Sequence, residues 1–556
     1  MSLTASLYSN LQLITVKVES SMGYYLLELA WEVGLVKGGT YTYLWGKSKA
    51  LSVHRQGRHM LIGPYFAESY GTEITPIDPP AEFARLTEIA TELNLKIYFG
   101  TWAKAGNVLC LLVDYSNLQE LLLMQQSISQ DLAEHYGVKN EYTNVPLNWE
   151  KLNSNLVLWT YYVGKLLERA LSAGQWSAEQ LLIDAHYPYG VALLLLQNLP
   201  AEIRARIATV RTLHATHLGY LSTVTSAQKW QSYLRNPNFT TLAEYFNSDE
   251  FTIEAAEIRQ ADYVNAVSAA TYAEVDRFYY RKPEFLMPHG FDKATFDEVL
   301  KQPKPQPDND SLMANALLTT EDLSKKVIHF FSAGRDAEFI KGYELIIAAL
   351  GELDKHLQQP EFANLVVVQN FYILVYRQED IERFKQKLEQ GVQPLNFINY
   401  YCQQAGLFNS QSNKVKINLV PRFGHQAQNL EYFQTIRQSQ LALFPSLYEP
   451  WGYTPVEASA VGVPTVTTNA GGFGQYLLET NKPEDLRGIK VLNLQQSKTA
   501  VITALAEHML MVVSADTEAL ADLGKNAREL VSKTDWGKMI GNYLQNYEQA
   551  ARQQAK

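Results

Sequence analysis

Short apolar runs recur along the chain, most of them closed by glycine or proline and followed by segments of helical periodicity. Residues 441–444, LALF, read as a buried strand, and Pro445 and Ser446 end it. Residues 448–452, YEPWG, are loop chemistry. Thr454 and Pro455 then predict a helix start, with threonine as cap, proline at the first helical position and Glu457 one turn inside. That helix is expected to stop near Gly462, with a parallel strand over 463–467 and a glycine-rich loop over 471–474. The same alternation predicts strands at 24–33, 181–186, 208–212, 261–268 and 285–292 in the first half, and helices at 153–172 and 269–280. Residues 61–65, and 99–102 followed by 108–115, read as loop then strand. In the second half strands are expected at 327–333, 362–376 and 415–420, and helices from Lys341 to Leu353 and over 499–513, 517–533 and 535–554. Residues 378–405 read as a helical insertion. Strands alternating with helices predict an α/β fold with parallel, doubly wound sheets.

Between the halves, residues 300–326 are polar and proline-rich, which reads as a linker. The division is therefore an N-terminal Rossmann-like domain over 1–300, a linker over 301–326, a second Rossmann-like domain over 327–530 and a final helix over 531–556. Asp308-Asn309-Asp310 spells a metal-binding DxD, but inside this linker it reads as coincidence.

Composition narrows the class. The 556 residues are enough for two large cores, and 46% apolar with 19% charged residues are globular values. A net charge of −10 gives no reason to expect nucleic acid or an anionic membrane as partner. Residues 1–20 lack a basic start followed by an apolar core, so no secretory signal is expected, and no apolar run is long enough to span a bilayer. Cys110 and Cys402 lie far apart and read as core residues of a cytoplasmic protein. The eleven histidines show no zinc-ligand spacing, and no metal or cofactor is expected.

The chemistry fits a sugar nucleotide. A helix N-terminus at Gly452, Tyr453 and Thr454 offers amides and partial positive charge to a diphosphate. Glu449, in the loop at the sheet's carboxyl edge, can accept hydrogen bonds from sugar hydroxyls, and Glu457 can reach a ribose diol. Arg335, at a strand's carboxyl end, and Lys341, at the next helix start, can converge on one diphosphate. The paired glycines Gly38 and Gly39 form a strand-to-helix turn whose amides can approach a phosphate. His186 and His214 each follow an apolar strand, a functional location in a parallel sheet.

EPWGYTPVE followed by GVPTVTTNAGGFG closely resembles the signature of the glycogen synthases, glycosyltransferase family 3. The AGR-to-KG segment at 333–342, the HAT segment at 214–216 and the WEV segment before the glycine pair extend the resemblance. It implies a GT-B fold, two Rossmann-like domains facing a cleft, with the final helix crossing back to the first domain. It implies retaining transfer of glucose from UDP-glucose to the non-reducing 4-hydroxyl of an α-1,4-glucan, glycogen or a maltooligosaccharide. Arg335 and Lys341 would then neutralise the departing diphosphate without a metal. Glu449 would hold the glucose, His214 would lie beside it, and Tyr432 would stack on the nucleobase. The chain departs from the family pattern at Lys37, one place late, at Tyr187-Pro188 in place of Glu-Trp, at Tyr220 in place of Arg, and at His289 in place of Asn. The changes at Tyr187 and Tyr220 fall on the acceptor side. A different acceptor, or a catalytically silent relative that binds glucan or nucleotide, therefore stays open, as does homo-oligomerisation. Only Lys525, Arg528 and Lys533 stand where the regulatory arginine cluster would be, so activation by sugar phosphate is not expected.

Overall fold

The computed structural model describes residues 8, 23–35, 38–55, 57–116, 122–138, 154–186, 190–219, 248–314, 317–335, 340–375, 381–383, 386–387, 396–423 and 430–554. Lys37, Tyr187, Pro188 and Tyr220, and most of the expected insertion before residue 396, lie outside them. The chain divides into two compact units: residues 1–222, 230–291 and 536–556 form the first, and residues 223–229 and 292–535 the second.

The first unit is built on strands β1 (Tyr24–Leu29), β2 (His59–Pro64), β3 (Thr75–Ile77), β4 (Lys96–Trp102), β5 (Val108–Asp114), β6 (Gln180–Ala185), β7 (Ile207–Leu213), β8 (Tyr263–Ala266) and β9 (Phe285–Leu286). Their order is β3-β4-β5-β2-β1-β6-β7-β8-β9. From β5 to β9 neighbours are parallel, while β3 and β4 pair antiparallel at one edge. β1 and β2 are buried along their whole length, as expected of strands covered on both faces by helices. Leu27, Ile62, Leu111 and Ile183 share one core with Val163 and Leu167 of the helix Ser154–Ser172 and with the apolar helix Val191–Leu196. Residues 99–102, expected as a loop, are the end of β4. A short turn through Gly106, at φ 75°, folds β4 back on β5 as a hairpin.

The second unit holds β10 (Lys326–Arg335), β11 (Leu365–Val375), β12 (Val415–Phe423), β13 (Leu441–Leu443), β14 (Thr465–Thr468) and β15 (Ile489–Leu492). All pair parallel, in the order β12-β11-β10-β13-β14-β15. This is the doubly wound order, and its switch point lies between β10 and β13, outside whose carboxyl ends ligands bind. The helices Tyr343–Leu357 and Lys498–Ser514 pack Leu350, Leu353, Leu505 and Met509 against Phe330, Val367 and Leu443 of the sheet.

The segment expected as a linker is not one. Helices Asn309–Ala314 and Thr320–Leu323 interrupt it, and Leu312 and Leu318 pack on Val366 and Val368 of β11. The helix Lys293–Lys301 already belongs to the second unit: Phe296 meets Phe433 at 4.7 Å, and Arg437 donates to the Val299 carbonyl. Its apolar face, not the proline content that follows, decides where the unit begins. The last helix, Trp536–Gln554, belongs to the first unit. Its first residue lies between Gly46 and Gly290, where a Cβ on either glycine would collide with the indole.

Candidate functional site

In the second unit the expected residues gather at the switch point. β10 ends on Arg335, and β13 runs into the loop that carries Glu449. Residues 336–339 lie outside the description, and the chain returns at Ile340, whose carbonyl accepts from Leu447 N at 2.8 Å. That bond ties the loop after β10 to the loop after β13. Gly342 completes the join. Its φ is 68°, and a Cβ there would run into the Pro445 carbonyl, so only glycine permits the approach. Lys341 Nζ, held beside it, pairs with Glu449 Oε2 at 2.6 Å. Glu449 is fixed from the other side as well: its carbonyl accepts from Gly472 N at 2.9 Å, and the Trp451 carbonyl accepts from Phe473 N at 2.8 Å.

The helix after this loop is Tyr453–Ala460, with Gly452 at φ 107° as its N-cap and no side-chain cap. Thr454 is therefore inside the helix, not its cap, and Pro455 follows in the first turn. The positive φ of Gly452 turns the chain so that the amides of the first turn open beside Glu449, whose Cγ is 3.2 Å from where a Gly452 Cβ would be. Glu457 is 3% exposed within the helix. Tyr432 lies on the helix Leu430–Arg437, is 2% exposed, and packs edge-on to Phe331 at 6.1 Å and beside Phe433. Residues 472–474, expected as loop, open the helix Gly472–Thr480 because Gly474 packs directly on the Thr468 carbonyl.

In the first unit Gly39 begins the helix Gly39–Arg55 directly after Gly38. The amide of Tyr41 donates to Glu32 Oε2 at 2.7 Å, and a Cβ on Gly38 would sit 3.2 Å from Glu32 Oε1. A carboxylate of this chain therefore holds an amide in the first turn of the helix, where a phosphate was expected.

His214 follows β7 directly and is 8% exposed. It stands in a hydrogen-bonded row. His186 Nδ1 is 3.1 Å from His214 Nε2, and His214 Nδ1 is 3.0 Å from His289 Nε2. His186 Nε2 is 2.8 Å from Glu28 Oε2. Glu28 lies on β1 opposite Asp184 of β6 and also takes the Lys47 ammonium and, at 2.7 Å, His59 Nε2. Lys47 donates further to the Tyr43 and Tyr547 hydroxyls, and Tyr547 donates to Asp184 at 2.6 Å. Burial pushes the Glu28 carboxyl up, but Lys47 and the two histidine hydrogen bonds outweigh it and hold the group well below the usual carboxylate range. Burial, reinforced by neighbouring cationic forms, holds His214 and His289 well below the usual histidine value. Glu28, Asp184 and His186 are, among the described residues, three groups whose ligand atoms lie within 4.8 Å of one another and could hold a metal ion. The Lys47 ammonium already neutralises Glu28 there.

This row, apart from its histidines, was not read from the sequence. Glu28 and Lys47 are an acid inside an apolar strand and a lysine inside a helix, and Tyr547 lies 500 positions from Lys47. An acid inside an otherwise apolar strand, Glu28 within YYLLEL, is the local signal that could have pointed to it. A second buried pair, Arg211 and Glu257 at 2.8 Å, lies on β7 and the helix Asp249–Gln260.

Among solved structures, the chain is similar to a sucrose-phosphate synthase from Thermosynechococcus elongatus, with a TM-score of 0.51, 16% identity, and 95% of this chain and 98% of that one covered. It is similar to an α,α-trehalose 6-phosphate synthase from Burkholderia multivorans, with a TM-score of 0.53, 12% identity, and 95% and 97% covered. At such identities the likeness speaks for the fold, and with two parallel-sheet units it defines the fold class as that of the GT-B glycosyltransferases. The model of the glycogen synthase family matches residues 28–387 and 396–556. The liver glycogen [starch] synthase of Rattus norvegicus is 24% identical, with 84% of this chain and 75% of that one covered. The glycogen [starch] synthase of Dictyostelium discoideum is 23% identical, with 95% and 67% covered. The chain belongs to the glycogen synthase family, and its function is that of a glycogen synthase, a glycosyltransferase.

Proposed function

We propose that the donor is UDP-glucose and the acceptor the non-reducing 4-hydroxyl of an α-1,4-glucan, with the anomeric configuration retained. A structural neighbour, trehalose-6-phosphate from E. coli, is bound with UDP-2-fluoro glucose, which supports a UDP-sugar donor. The observation that carries the assignment is the Lys341–Glu449 pair at the switch point, beside the open first turn of the helix Tyr453–Ala460. In this reading Arg335, Lys341 and the amides near Tyr453 and Thr454 neutralise the leaving diphosphate, so the site needs no metal. Glu449 exchanges its lysine for glucose hydroxyls as the diphosphate takes the cation. Glu457 takes the ribose, and His214 borders the sugar. Tyr432 stacks on the nucleobase, its ring braced by Phe331 and Phe433. A phosphate at Gly38 and Gly39 would displace the Glu32 carboxylate from the Tyr41 amide.

We further infer a member of glycosyltransferase family 3 of bacterial type, working in the cytoplasm and not activated by sugar phosphate. Of the three cations available for activation, Arg528 is paired with Asp297 and Lys533 with Asn481, while Lys525 lies 4.0 Å from Glu529. Glucose 6-phosphate should therefore leave the rate unchanged; a several-fold stimulation would contradict this.

The site assignment is tested by kinetics of two variants. R335A and K341A should each lower kcat by about 10²–10³, as for loss of one preorganised charge-stabilising group. Both retaining near-normal turnover would remove these residues from the chemistry.

A further inference from the structure

Three histidines in a row leave few arrangements of protons. A neutral imidazole has one N–H and one lone pair, and hydrogen-bond direction sets which nitrogen carries which. Glu28 is acceptor only, since it is ionised against Lys47. His186 must therefore present Nε2–H to Glu28. In the arrangement that places a single proton on each ring, His186 Nδ1 accepts from His214 Nε2–H, and His214 Nδ1 accepts from His289 Nε2–H. Each proton points toward Glu28. Both ring nitrogens of His214 are then spent on protein partners, and neither remains for a sugar hydroxyl.

We propose that Glu28 is a positioning residue for glucosyl transfer: through His186 it sets the tautomer and ring orientation of His214, whose other nitrogen His289 clamps. This rests on the reading that His214 borders the donor sugar. The packing around the row serves the same end. The Tyr43 ring meets His214 edge-on at 4.7 Å and lies 4.7 Å from His289, so His214 cannot rotate without moving an aromatic neighbour. Lys47, fully buried, holds Glu28 charged and is itself held by Tyr43 and Tyr547. The last helix, Trp536–Gln554, thus reaches His214 through Tyr547, Lys47, Glu28 and His186.

The experiment combines ¹⁵N-histidine NMR, which distinguishes Nδ1–H from Nε2–H tautomers, with steady-state kinetics on UDP-glucose and glycogen. The wild type should show His214 as the neutral Nε2–H tautomer. E28Q should shift or split that signal and lower kcat about ten- to a hundred-fold, with little change in KM for UDP-glucose, as expected for one lost charged hydrogen bond. E28Q leaves Lys47 buried without its carboxylate and could fail to fold, so His289 supplies a second test. H289L removes the donor to His214 Nδ1 and should reproduce the effect. H289N keeps an N–H donor there and should recover most of the loss. An Nδ1–H tautomer at His214 in the wild type, or H289L leaving both signal and kcat intact, would overturn the proposal. Wild-type transfer with His214 indifferent to both variants rejects the positioning role alone. The assigned tautomer without any transfer rejects the functional reading, and the positioning role with it.

Discussion

Lys341 owes its position to the glycine after it. Gly342 adopts a left-handed conformation against the Pro445 carbonyl, and this contact sets the distance between the loops after β10 and β13. In G342A the new methyl has no room and the backbone is strained, a cost of about 1–3 kcal/mol. The expected outcome is a lower Tm together with a kcat reduced toward that of K341A; a variant with normal kcat would mean that Lys341 does not depend on this contact. The positions of Arg335, Lys341, Glu449 and Gly452 were legible in the sequence because each sits next to a strand end or a helix start. The histidine row was legible only in part. His186 and His214 follow strands, but what Glu28 and Lys47 do depends on strand register and on a tyrosine from the far end of the chain. Glu32 was missed for a related reason, since nothing in WEV says that its acid will turn back onto the helix it precedes.

Elements were read well where periodicity and burial agree and less well where packing overrides composition. The proline-rich stretch read as a linker because its polar residues dominate, yet Leu312 and Leu318 are enough to fix it on β11. The glycines at 471–474 read as a loop, yet close packing makes them a helix start. The same physics gives a prediction for the last helix. Trp536 lies between Gly46 and Gly290, so a methyl at Gly290 must displace the indole. G290A should lose about 1–3 kcal/mol by overpacking, and limited proteolysis should cut the last helix earlier than in the wild type. Unchanged protection would mean that the indole relocates at no cost. The helix Lys498–Ser514 gives another. His508 Nε2 is buried without a hydrogen-bond partner, and burial, helped by Lys490, lowers its pKa to about 4. The folded helix resists protonation that the unfolded chain accepts, so its stability is present above the unfolded value of 6.5 and is lost as pH falls toward about 4. H508L should therefore raise Tm more at pH 5.5 than at pH 8, the difference being the equivalent of about 1 kcal/mol. An equal change at both would exclude titration as the cause.

For the whole molecule, opposing groups set the pH profile. His217 and His329 are also lowered by burial to about 4, so with His508 they add stability as pH rises from about 4 to 6.5. Glu257 acts the other way. Burial raises it to about 7 despite Arg211, so its contribution falls as pH rises from 4.5 to about 7. His54, His59, His214 and His289, also lowered by burial, act with these three, and Glu250 and Glu254, raised by burial, act with Glu257. The lowered histidines outnumber the raised glutamates, and Tm should rise between about pH 4.5 and 6.5. No helix among the described residues is long and apolar enough to cross a membrane. Both units carry their candidate residues at the carboxyl edge of a parallel sheet, and the family match spans both. The reaction itself is open to direct measurement. The direct test is incorporation of radiolabelled glucose into glycogen and maltooligosaccharides, with UDP-glucose and ADP-glucose compared side by side. Transfer from UDP-glucose into an amylase-sensitive product is the predicted result. Nucleotide binding without incorporation from either donor would contradict it and point to another acceptor or to a silent relative.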